Sequence, residues 1–311
     1  MKTSVATFGA FSLLGIDGGL RAIAEAGFDA IDLGLDALFP QKDTMDGEYE
    51  AYLLDEQRIR ETVDAVKAGL EKYRLTVGQA HAPSAYVARK PRETEIMRRC
   101  VDRCFAICEE LDCRHLVIHP ICDGSARYPS LTKEEEIREN TAYFSSVIPQ
   151  LKRHNVICCL ENAYTLDWGT KKAYAGACSD MAEACRYIDA LNALAGEKCF
   201  AFCLDTGHML LLGTDPCFAI QTLGDRLEIL HVHDNDGYLD DHTASFLGVC
   251  NWGRFVKGLR AIGYKGNINM EASSFVQLFP KELAPAALKL LAAEADYFRT
   301  KVSEAKGCAP N

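Results

Sequence analysis

The segment FCLDTGHMLLLGTDPCFAIQTLGDRLEILHVHDN, residues 202–235, contains one complete repeat of the pattern that decides the fold. A short apolar run at Phe202–Asp205 is followed by a helical segment at Asp215–Gly224 and by a second apolar run at Ile229–His233. This order predicts two parallel strands joined by a crossover helix. Both strands end in acidic or imidazole side chains, so the pattern also places polar chemistry at one end of the sheet.

The same alternation extends along the whole chain. The predicted strands are Ser4–Phe8, Ala30–Leu33, Thr76–His81, His115–His119, Ile157–Glu161, Phe202–Asp205, Ile229–His233 and Asn267–Glu271. The predicted helices are Gly18–Ala26, Glu56–Tyr73, Glu93–Leu111, Lys133–His154, Asp180–Ala193, Asp215–Gly224, Asn251–Ile262 and Pro285–Lys301. Open doubly wound sheets alternate in the same way, but eight repeats favour closure, because a closed barrel has no sheet edge.

We therefore predict an α/β protein that folds as a single (β/α)8 TIM barrel over residues 1–311. No linker rich in Pro, Gly or Ser divides the sequence. Two irregular stretches, residues 36–52 and 162–179, each follow a strand on the side where barrel enzymes build their sites. We expect both to be active-site loops.

The composition restricts the class of partner. The chain is 48% hydrophobic and 25% charged, as in soluble globular proteins, and its formal net charge of −10 disfavours nucleic acid or an anionic membrane. No apolar run of about 18 residues and no signal peptide is visible, so we expect a cytoplasmic protein. The 14 cysteines lie in apolar periodic segments without a C-x-x-C pair, which predicts reduced, buried thiols.

Acids and histidines mark the ends of five consecutive predicted strands and of the last one. In a barrel these ends converge on one mouth. Buried carboxylates without a counter-charge cost several kcal/mol each, and no Lys or Arg stands at these ends, so a divalent cation is the simplest compensation. Singly, each residue could instead be satisfied by backbone groups. The residues concerned are His81, His119, Glu161, Asp205 with His208, His231 with His233, and Glu271.

Spacing orders some of these side chains. His231 and His233 share one face of their strand at different depths, so His233, nearer the mouth, is the predicted metal ligand and His231 a layer residue or supporting partner. Asp205 and His208 are three residues apart across a strand-to-loop turn, which lets both reach a common space. The Asp240-x-His242 pair, in the loop after the seventh strand, is either part of the site or a solvated polar loop.

Several longer motifs match a known group of proteins, and the match spans nearly the whole chain. The sequence resembles the xylose-isomerase-like barrel superfamily, which contains sugar isomerases and epimerases, inosose dehydratases and abasic-site endonucleases. The matching motifs are Leu160-Glu-Asn162, Leu204-Asp-Thr-Gly-His208, His231-Val-His-Asp-Asn235, Asp240-x-His242, Gly248-x-x-x-Trp252 and Met270-Glu-Ala272.

The resemblance implies one divalent metal ion held by four residues from strands five to eight, Glu161, Asp205, His233 and Glu271. It also implies that His208 contacts the substrate and that the two glutamates move a proton. Three carboxylates and one imidazole suit Mn²⁺ first, and also Zn²⁺, Co²⁺ or Mg²⁺. Chelation of two sugar oxygens acidifies the C–H next to the carbonyl, and the carboxylates can then move its proton through an enediolate.

The predicted function is therefore a metal-dependent sugar or polyol isomerase or epimerase. The catalytic residues are Glu161, Glu271 and His208, and the predicted substrate-binding residues are His81, His119, Asp240 and His242. No phosphate-binding G-x-x-x-x-G-K motif is present, which favours an unphosphorylated substrate. The partner is a small sugar or polyol, without nucleic acid or membrane, and a homo-oligomer stays open.

Three alternatives remain at this point. One is an inosose-type dehydratase or lyase, and another is a non-catalytic sugar-binding barrel or subunit. The third is an abasic-site endonuclease with three metals, because Asp240-x-His242, together with His81 and His119, completes the nine ligands of those enzymes. The stretch 234–241 also lacks the Arg that related sugar epimerases often carry. One bound metal ion favours the isomerase, and three favour the nuclease.

Overall fold

The computed structural model describes residues 1–42, 44–85, 90–122, 131–167 and 169–304. Within these ranges the strands are β1 Thr3–Ala6, β2 Ala30–Gly34, β3 Thr76–His81, β4 His115–Ile118, β5 Ile157–Glu161, β6 Tyr164–Asp167, β7 Lys172–Ala175, β8 Phe200–Asp205, β9 Leu227–His231 and β10 Ile268–Met270. Eight of them form a sheet in the order β10-β1-β2-β3-β4-β5-β8-β9, in which each neighbouring pair is parallel.

The sheet closes just beyond the last residues of β9. Val232 forms a parallel bridge with Met270. The Val232 N–H donates to the Asn269 carbonyl at 2.9 Å, and the Glu271 N–H donates to the Val232 carbonyl at 2.9 Å. These bonds join the two outer strands and leave a barrel, so the predicted α/β TIM barrel of one domain is confirmed.

Helices cover the outside of the barrel. Their bounds are α1 Phe8–Ala26, α2 Gly47–Leu53, α3 Glu56–Tyr73, α4 Pro91–Glu110, α5 Lys133–His154, α6 Met181–Ala195, α7 Thr206–Leu211, α8 Pro216–Leu223, α9 Trp252–Ile262, α10 Ser273–Gln277 and α11 Ala284–Ser303. Local signals fix several ends. Asp55 accepts two backbone N–H groups at the start of α3, and Thr132 with Glu135 forms a capping box at the start of α5.

Two departures from the predicted secondary structure have physical reasons. The first helix begins at Phe8 rather than Gly18, and Gly15 inside it has a φ of 69°. The backbone of Gly15 is not helical, so α1 consists of two helical segments joined at a kink, and the predicted helix covers part of the second segment. The stretches 36–52 and 162–179 are not irregular throughout, because the first contains most of α2 and the second contains the antiparallel hairpin β6–β7.

The interior and the cysteines agree with the composition. Large apolar side chains of the helices and strands form the main core, and buried residues of β4, β5, β8 and β9 form a second, smaller cluster. The described cysteines are free thiols and most are buried. Burial raises the pKa of Cys104 and Cys158 well above the ordinary thiol value, which keeps them protonated. Among the described helices, none combines the length and the apolar character that crossing a membrane requires.

Candidate metal and active site

The predicted site residues meet at the carboxyl-terminal mouth of the barrel. There a cavity of about 450 Å³ opens to solvent. The predicted residues that line it are His81, His119, Glu161, His208, Asp240, His242 and Glu271. Asp205 and His233 are fully buried at the base of the same mouth. The structure therefore brings together every residue that the sequence analysis singled out.

Three carboxylates converge on one nitrogen of His231. The Nδ1 atom of His231 lies 2.7 Å from Oε1 of Glu161, 3.3 Å from Oε2 of Glu271 and 3.9 Å from Oδ2 of Asp205. His231 is completely buried, as are Glu161 and Asp205. This convergence of two strand-end glutamates and one aspartate on an imidazole forms the centre of the site.

His233 occupies a neighbouring position. Its Nε2 atom lies 3.0 Å from Oδ2 of Asp205 but 3.9 Å from Oε2 of Glu271. Its ring stacks on the ring of His242 with centroids 4.0 Å apart. Nε2 of His233 therefore lies within hydrogen-bond distance of one of the three carboxylates, that of Asp205, whereas Nδ1 of His231 lies within 4 Å of all three.

A second group of donors lies nearer the cavity opening. The Oδ2 atom of Asp240 is 3.2 Å from Nε2 of His208 and 3.2 Å from Nε2 of His242. The hydroxyl of Tyr164 donates to the same oxygen at 3.3 Å. The Oδ1 atom of Asp240 is buried and has no hydrogen-bond partner among the described residues. An aspartate between two imidazoles is itself an arrangement that can hold a cation.

A third group lies on the other side of the mouth. The Nε2 atoms of His81 and His119 are 3.1 Å apart, and His119 Nε2 is 2.7 Å from Oε2 of Glu161. Glu161 therefore uses one oxygen toward this pair and the other toward His231. These three residues form another set of potential metal donors.

Asn162 ties two of the strand ends together. Its side-chain amide donates to the Asp205 carbonyl at 2.9 Å and its side-chain oxygen accepts the Asp205 N–H at 2.9 Å. Its own carbonyl lies 2.9 Å from Nδ1 of His208. This pairing fixes the separation of β5 and β8, and therefore of Glu161 and Asp205.

The electrostatics follow from burial and from the mixture of acids and imidazoles. Burial raises the pKa of Asp205, but the imidazoles of His208 and His233 outweigh it and hold that pKa at about 2. Burial raises the pKa of Glu271 to about 7. Burial lowers the pKa of His242, but the carboxylates of Asp240 and Glu271 outweigh it and raise that pKa to about 10. A cation must displace protons from the imidazoles that bind it, so metal affinity should increase with pH.

The carboxylates of Glu161, Asp205 and Glu271 form ion pairs only with histidines within the described part of the chain. Carboxylate and imidazole donors together suit Mn²⁺, Zn²⁺, Co²⁺ or Mg²⁺. The residues present therefore fit a divalent ion.

Sequence reasoning missed four residues of the site or its surroundings. Asp36 and Tyr164 line the cavity, and both lie in the stretches predicted as loops. Asn162 was quoted in a motif but given no role. Asp32 lies inside the barrel, 3.2 Å from Nε2 of His231. An acid in the middle of the predicted strand Ala30–Leu33 was the signal that could have drawn attention to Asp32.

Comparison with known proteins agrees with this architecture. Residues 20–294 match the protein family described as "Xylose isomerase-like TIM barrel". A curated protein, the uncharacterized protein y4fM of Sinorhizobium fredii (strain NBRC 101917 / NGR234), is 36% identical over 69 residues, which is 22% of this chain and 22% of that protein. The chain thus matches about a fifth of the length of this relative.

Solved structures resemble the chain over nearly its whole length. The apo form of 3-keto-D-glucoside 4-epimerase, YcjR, from E. coli has a TM-score of 0.70 and 16% sequence identity, and the match covers 96% of this chain and 99% of the epimerase. The IolI protein with a bound zinc atom has a TM-score of 0.69 and 14% identity, with 98% and 100% covered. At these identities the likeness establishes the fold.

Proposed function

The chain belongs to the xylose isomerase-like TIM barrel family, and we propose that it is a divalent-metal-dependent isomerase or epimerase of a small sugar or polyol. One observation carries the proposal. Oxygens of Glu161, Glu271 and Asp205 lie 2.7, 3.3 and 3.9 Å from Nδ1 of His231, at the base of an open cavity. A sugar epimerase and a zinc-bound protein with the same barrel support it.

We propose Glu161, Asp205 and Glu271 as the carboxylate ligands. His233 was the imidazole ligand expected from the sequence, and that assignment stays a prediction. The distances favour His231, because its Nδ1 lies within 4 Å of all three carboxylates. His233 Nε2 lies 3.0 Å from Asp205 and 3.9 Å from Glu271. A ligand set needs its donors around one point, and His231 meets that requirement better.

A bound divalent ion would supply Lewis acidity, which makes the C–H beside a chelated carbonyl more acidic and stabilises the negative charge of an enediolate. Glu161 and Glu271 are the proposed proton carriers, one removing the proton and the other returning it. General acid–base groups of this kind contribute roughly 10²- to 10⁴-fold in rate. His208 lines the cavity beside them and is proposed to contact the substrate.

The remaining polar residues of the cavity would bind sugar hydroxyls. His81 and His119 lie on one side of the mouth, and Asp240 and His242 lie on the other. Imidazoles and carboxylates both donate to or accept from hydroxyl groups, which suits a small polyhydroxylated ligand of about the size of the cavity.

The proposal is tested by solvent deuterium exchange. The purified protein, stripped with a chelator and reloaded with Mn²⁺, is incubated in D2O with a panel of ketohexoses, ketopentoses and inososes. NMR follows deuterium at the carbon beside the carbonyl and the appearance of epimers. Exchange that requires Mn²⁺ supports the proposal, and loss of water from the inosose assigns the alternative dehydratase chemistry instead. No exchange and no elimination across the panel would contradict the proposed function.

Two further donor groups favour a second candidate with three cations. One group is His81, His119 and Glu161, and the other is His208, Asp240 and His242. Together with Asp205, Glu271 and one imidazole, that of His231 or His233, they provide the nine ligands expected of an abasic-site endonuclease. The net charge of −10 opposes binding to DNA. Metal analysis of the Mn²⁺- and Zn²⁺-reconstituted protein separates the candidates, because three bound ions together with cleavage of abasic-site DNA would assign the nuclease.

A further inference from the structure

A layer of polar side chains lies beneath the carboxylate–imidazole centre. Ser4, Asp32, Gln79 and Asn269 are at most 2% exposed and belong to β1, β2, β3 and β10. Interior layers of TIM barrels are dominated by branched apolar residues. Four buried polar side chains at this depth therefore need a reason beyond filling the barrel.

Hydrogen bonds in this layer fix Asp32 as an acceptor. Its Oδ2 atom accepts from the side-chain amide of Asn269 at 2.8 Å and from that of Gln79 at 3.1 Å. The Ser4 hydroxyl donates to Oδ1 of Asn269 at 2.8 Å, which orients the Asn269 amide group toward Asp32. An amide NH2 can only donate, so Asp32 Oδ2 presents lone pairs to whatever faces it.

His231 faces the same oxygen. Its Nε2 atom is buried, makes no hydrogen bond to the described residues in this structure, and lies in ion-pair contact with Asp32 Oδ2 at 3.2 Å. Without a cation, Nδ1 can donate its hydrogen to Oε1 of Glu161, 2.7 Å away. A cation held between Nδ1 and the carboxylates of Glu161 and Glu271 needs the Nδ1 lone pair, so the ring hydrogen then belongs on Nε2, which faces the acceptor Asp32 Oδ2. Metal-binding histidines are commonly oriented in this way by a carboxylate on their other nitrogen, which fixes the tautomer and raises the basicity of the ligating atom.

We propose that Asp32 is a positioning residue, which holds His231 in the tautomer and orientation that present Nδ1 to a divalent cation. The inference rests on the proposed function, because it needs the cation site at the mouth. Asp32 acts through His231 and contacts the bound ion through no atom of its own. This role also accounts for the buried polar layer, because Gln79 and Asn269 donate to the Asp32 carboxylate and Ser4 orients Asn269.

The test measures affinity for Co²⁺ alone by titration calorimetry, together with the visible absorption of the bound ion. The variants are Asp32→Asn, His231→Gln and the double variant, in the full chain. Asp32→Asn should weaken Co²⁺ binding roughly 10- to 100-fold, the usual cost of losing such a supporting carboxylate, and should change the absorption spectrum. The double variant should bind Co²⁺ no more weakly than His231→Gln alone, because Asp32 is proposed to act through His231 and the effects of coupled residues do not add.

Asn192→Ala is the control. It removes hydrogen bonds to the backbone of Cys199 and Phe200, at the amino-terminal end of β8 and away from the mouth, and should lower the melting temperature while leaving Co²⁺ affinity within about twofold. If Asp32→Asn does not fold, Asp32→Ser, which leaves room for water, takes its place. Native Co²⁺ affinity in the Asp32 variant, or an equal further loss in the double variant, would overturn the positioning role and leave the proposed function intact. A native protein that binds no divalent ion would instead overturn the proposed function, and the role of Asp32 with it.

Discussion

The indole Nε1 of Trp252 donates a hydrogen bond of 3.0 Å to Oδ2 of Asp234. The same carboxylate accepts the backbone N–H of Phe246 at 3.1 Å and that of Cys250 at 3.0 Å. Asp234 is therefore the anchor of the segment between β9 and α9. That segment carries Asp240 to the mouth of the barrel, together with the His242 beside it. The Gly248-x-x-x-Trp252 motif thus has a structural role in this chain.

Trp252→Phe should destabilise the fold by about 1–3 kcal/mol, because one buried hydrogen bond to a carboxylate is lost and the smaller ring fills only part of the indole site. The loosened segment should also reduce turnover, since it displaces Asp240 and His242. Urea denaturation and exchange kinetics measure both effects. Asp236→Asn, a substitution at an exposed position of the same segment, is the control and should change stability little. A Trp252→Phe variant as stable as the native protein would show that the anchor is unimportant.

Gly207 lies against the imidazole of His233 so closely that a Cβ atom has no room there. Gly207→Ala should therefore cost about 1–3 kcal/mol through overpacking and should move His233 away from Asp205. Thermal melting and a crystal structure of the variant test this. Gly253→Ala is the matched control, because the nearest atom to its added Cβ is 3.5 Å away and alanine favours a helix. Equal melting temperatures for the two variants would contradict the packing argument.

Removal of divalent ions should lower thermal stability. An ion that binds only the folded state stabilises it by about 2.7 kcal/mol at a hundredfold excess over the dissociation constant. Melting curves recorded after chelation and after addition of Mn²⁺ give the difference. His231→Gln should lose most of the Mn²⁺-dependent shift, whereas His233→Gln should keep more of it. The reverse order would restore His233 as the imidazole ligand.

Glu161→Gln and Glu271→Gln test the proposed proton carriers. Each variant keeps an oxygen that can contact a cation but loses the basic carboxylate, so metal binding should persist in part. Deuterium exchange at the substrate carbon should fall roughly 10²- to 10⁴-fold. Glu110→Gln, which alters only the ion pairs with Arg60 and Lys67 on the outside of the barrel, should exchange at the native rate. If both site variants exchange at the native rate, the acid–base role belongs instead to His208, or to Asp240 with His242.

A pH effect is expected from Glu228, near the amino-terminal end of the barrel. Burial raises the pKa of Glu228, but the bonds from His115 and Lys198 outweigh it and hold that pKa at about 2. A lowered folded-state pKa stabilises the fold above the ordinary value of 4.5, and this stability is lost as the pH falls toward 2.

Glu228→Gln should therefore be less stable than the native protein at pH 7, by about 1 kcal/mol once solvent screening is allowed for. The stability difference should shrink below pH 4.5 and disappear as the pH falls to about 2. Urea denaturation at several pH values measures this. A stability difference that does not change with pH would exclude the ion pair as its cause.

Local signals in the sequence were sufficient for much of the secondary structure. The strands Thr76–His81 and Ile157–Glu161 and the helices Glu56–Tyr73 and Lys133–His154 have the predicted bounds. Apolar runs mark such elements and capping residues end them, so both signals are short-range. The first segment of α1 was missed because its glycines weaken the local helical pattern and the kink at Gly15 separates it from the segment that was predicted.

The barrel, and the convergence of acids and histidines at one mouth, could be inferred from the amino-acid sequence, because repeat number and strand direction fix which strand ends meet. The three-dimensional packing was needed to show that Nδ1 of His231, rather than a nitrogen of His233, lies within 4 Å of three carboxylates, and that Asp32 lies on the other side of the His231 ring. Two residues of one strand face differ only in depth. Depth depends on strand tilt and on the side chains that cross the barrel from other strands, and neither quantity is encoded in the spacing along one strand.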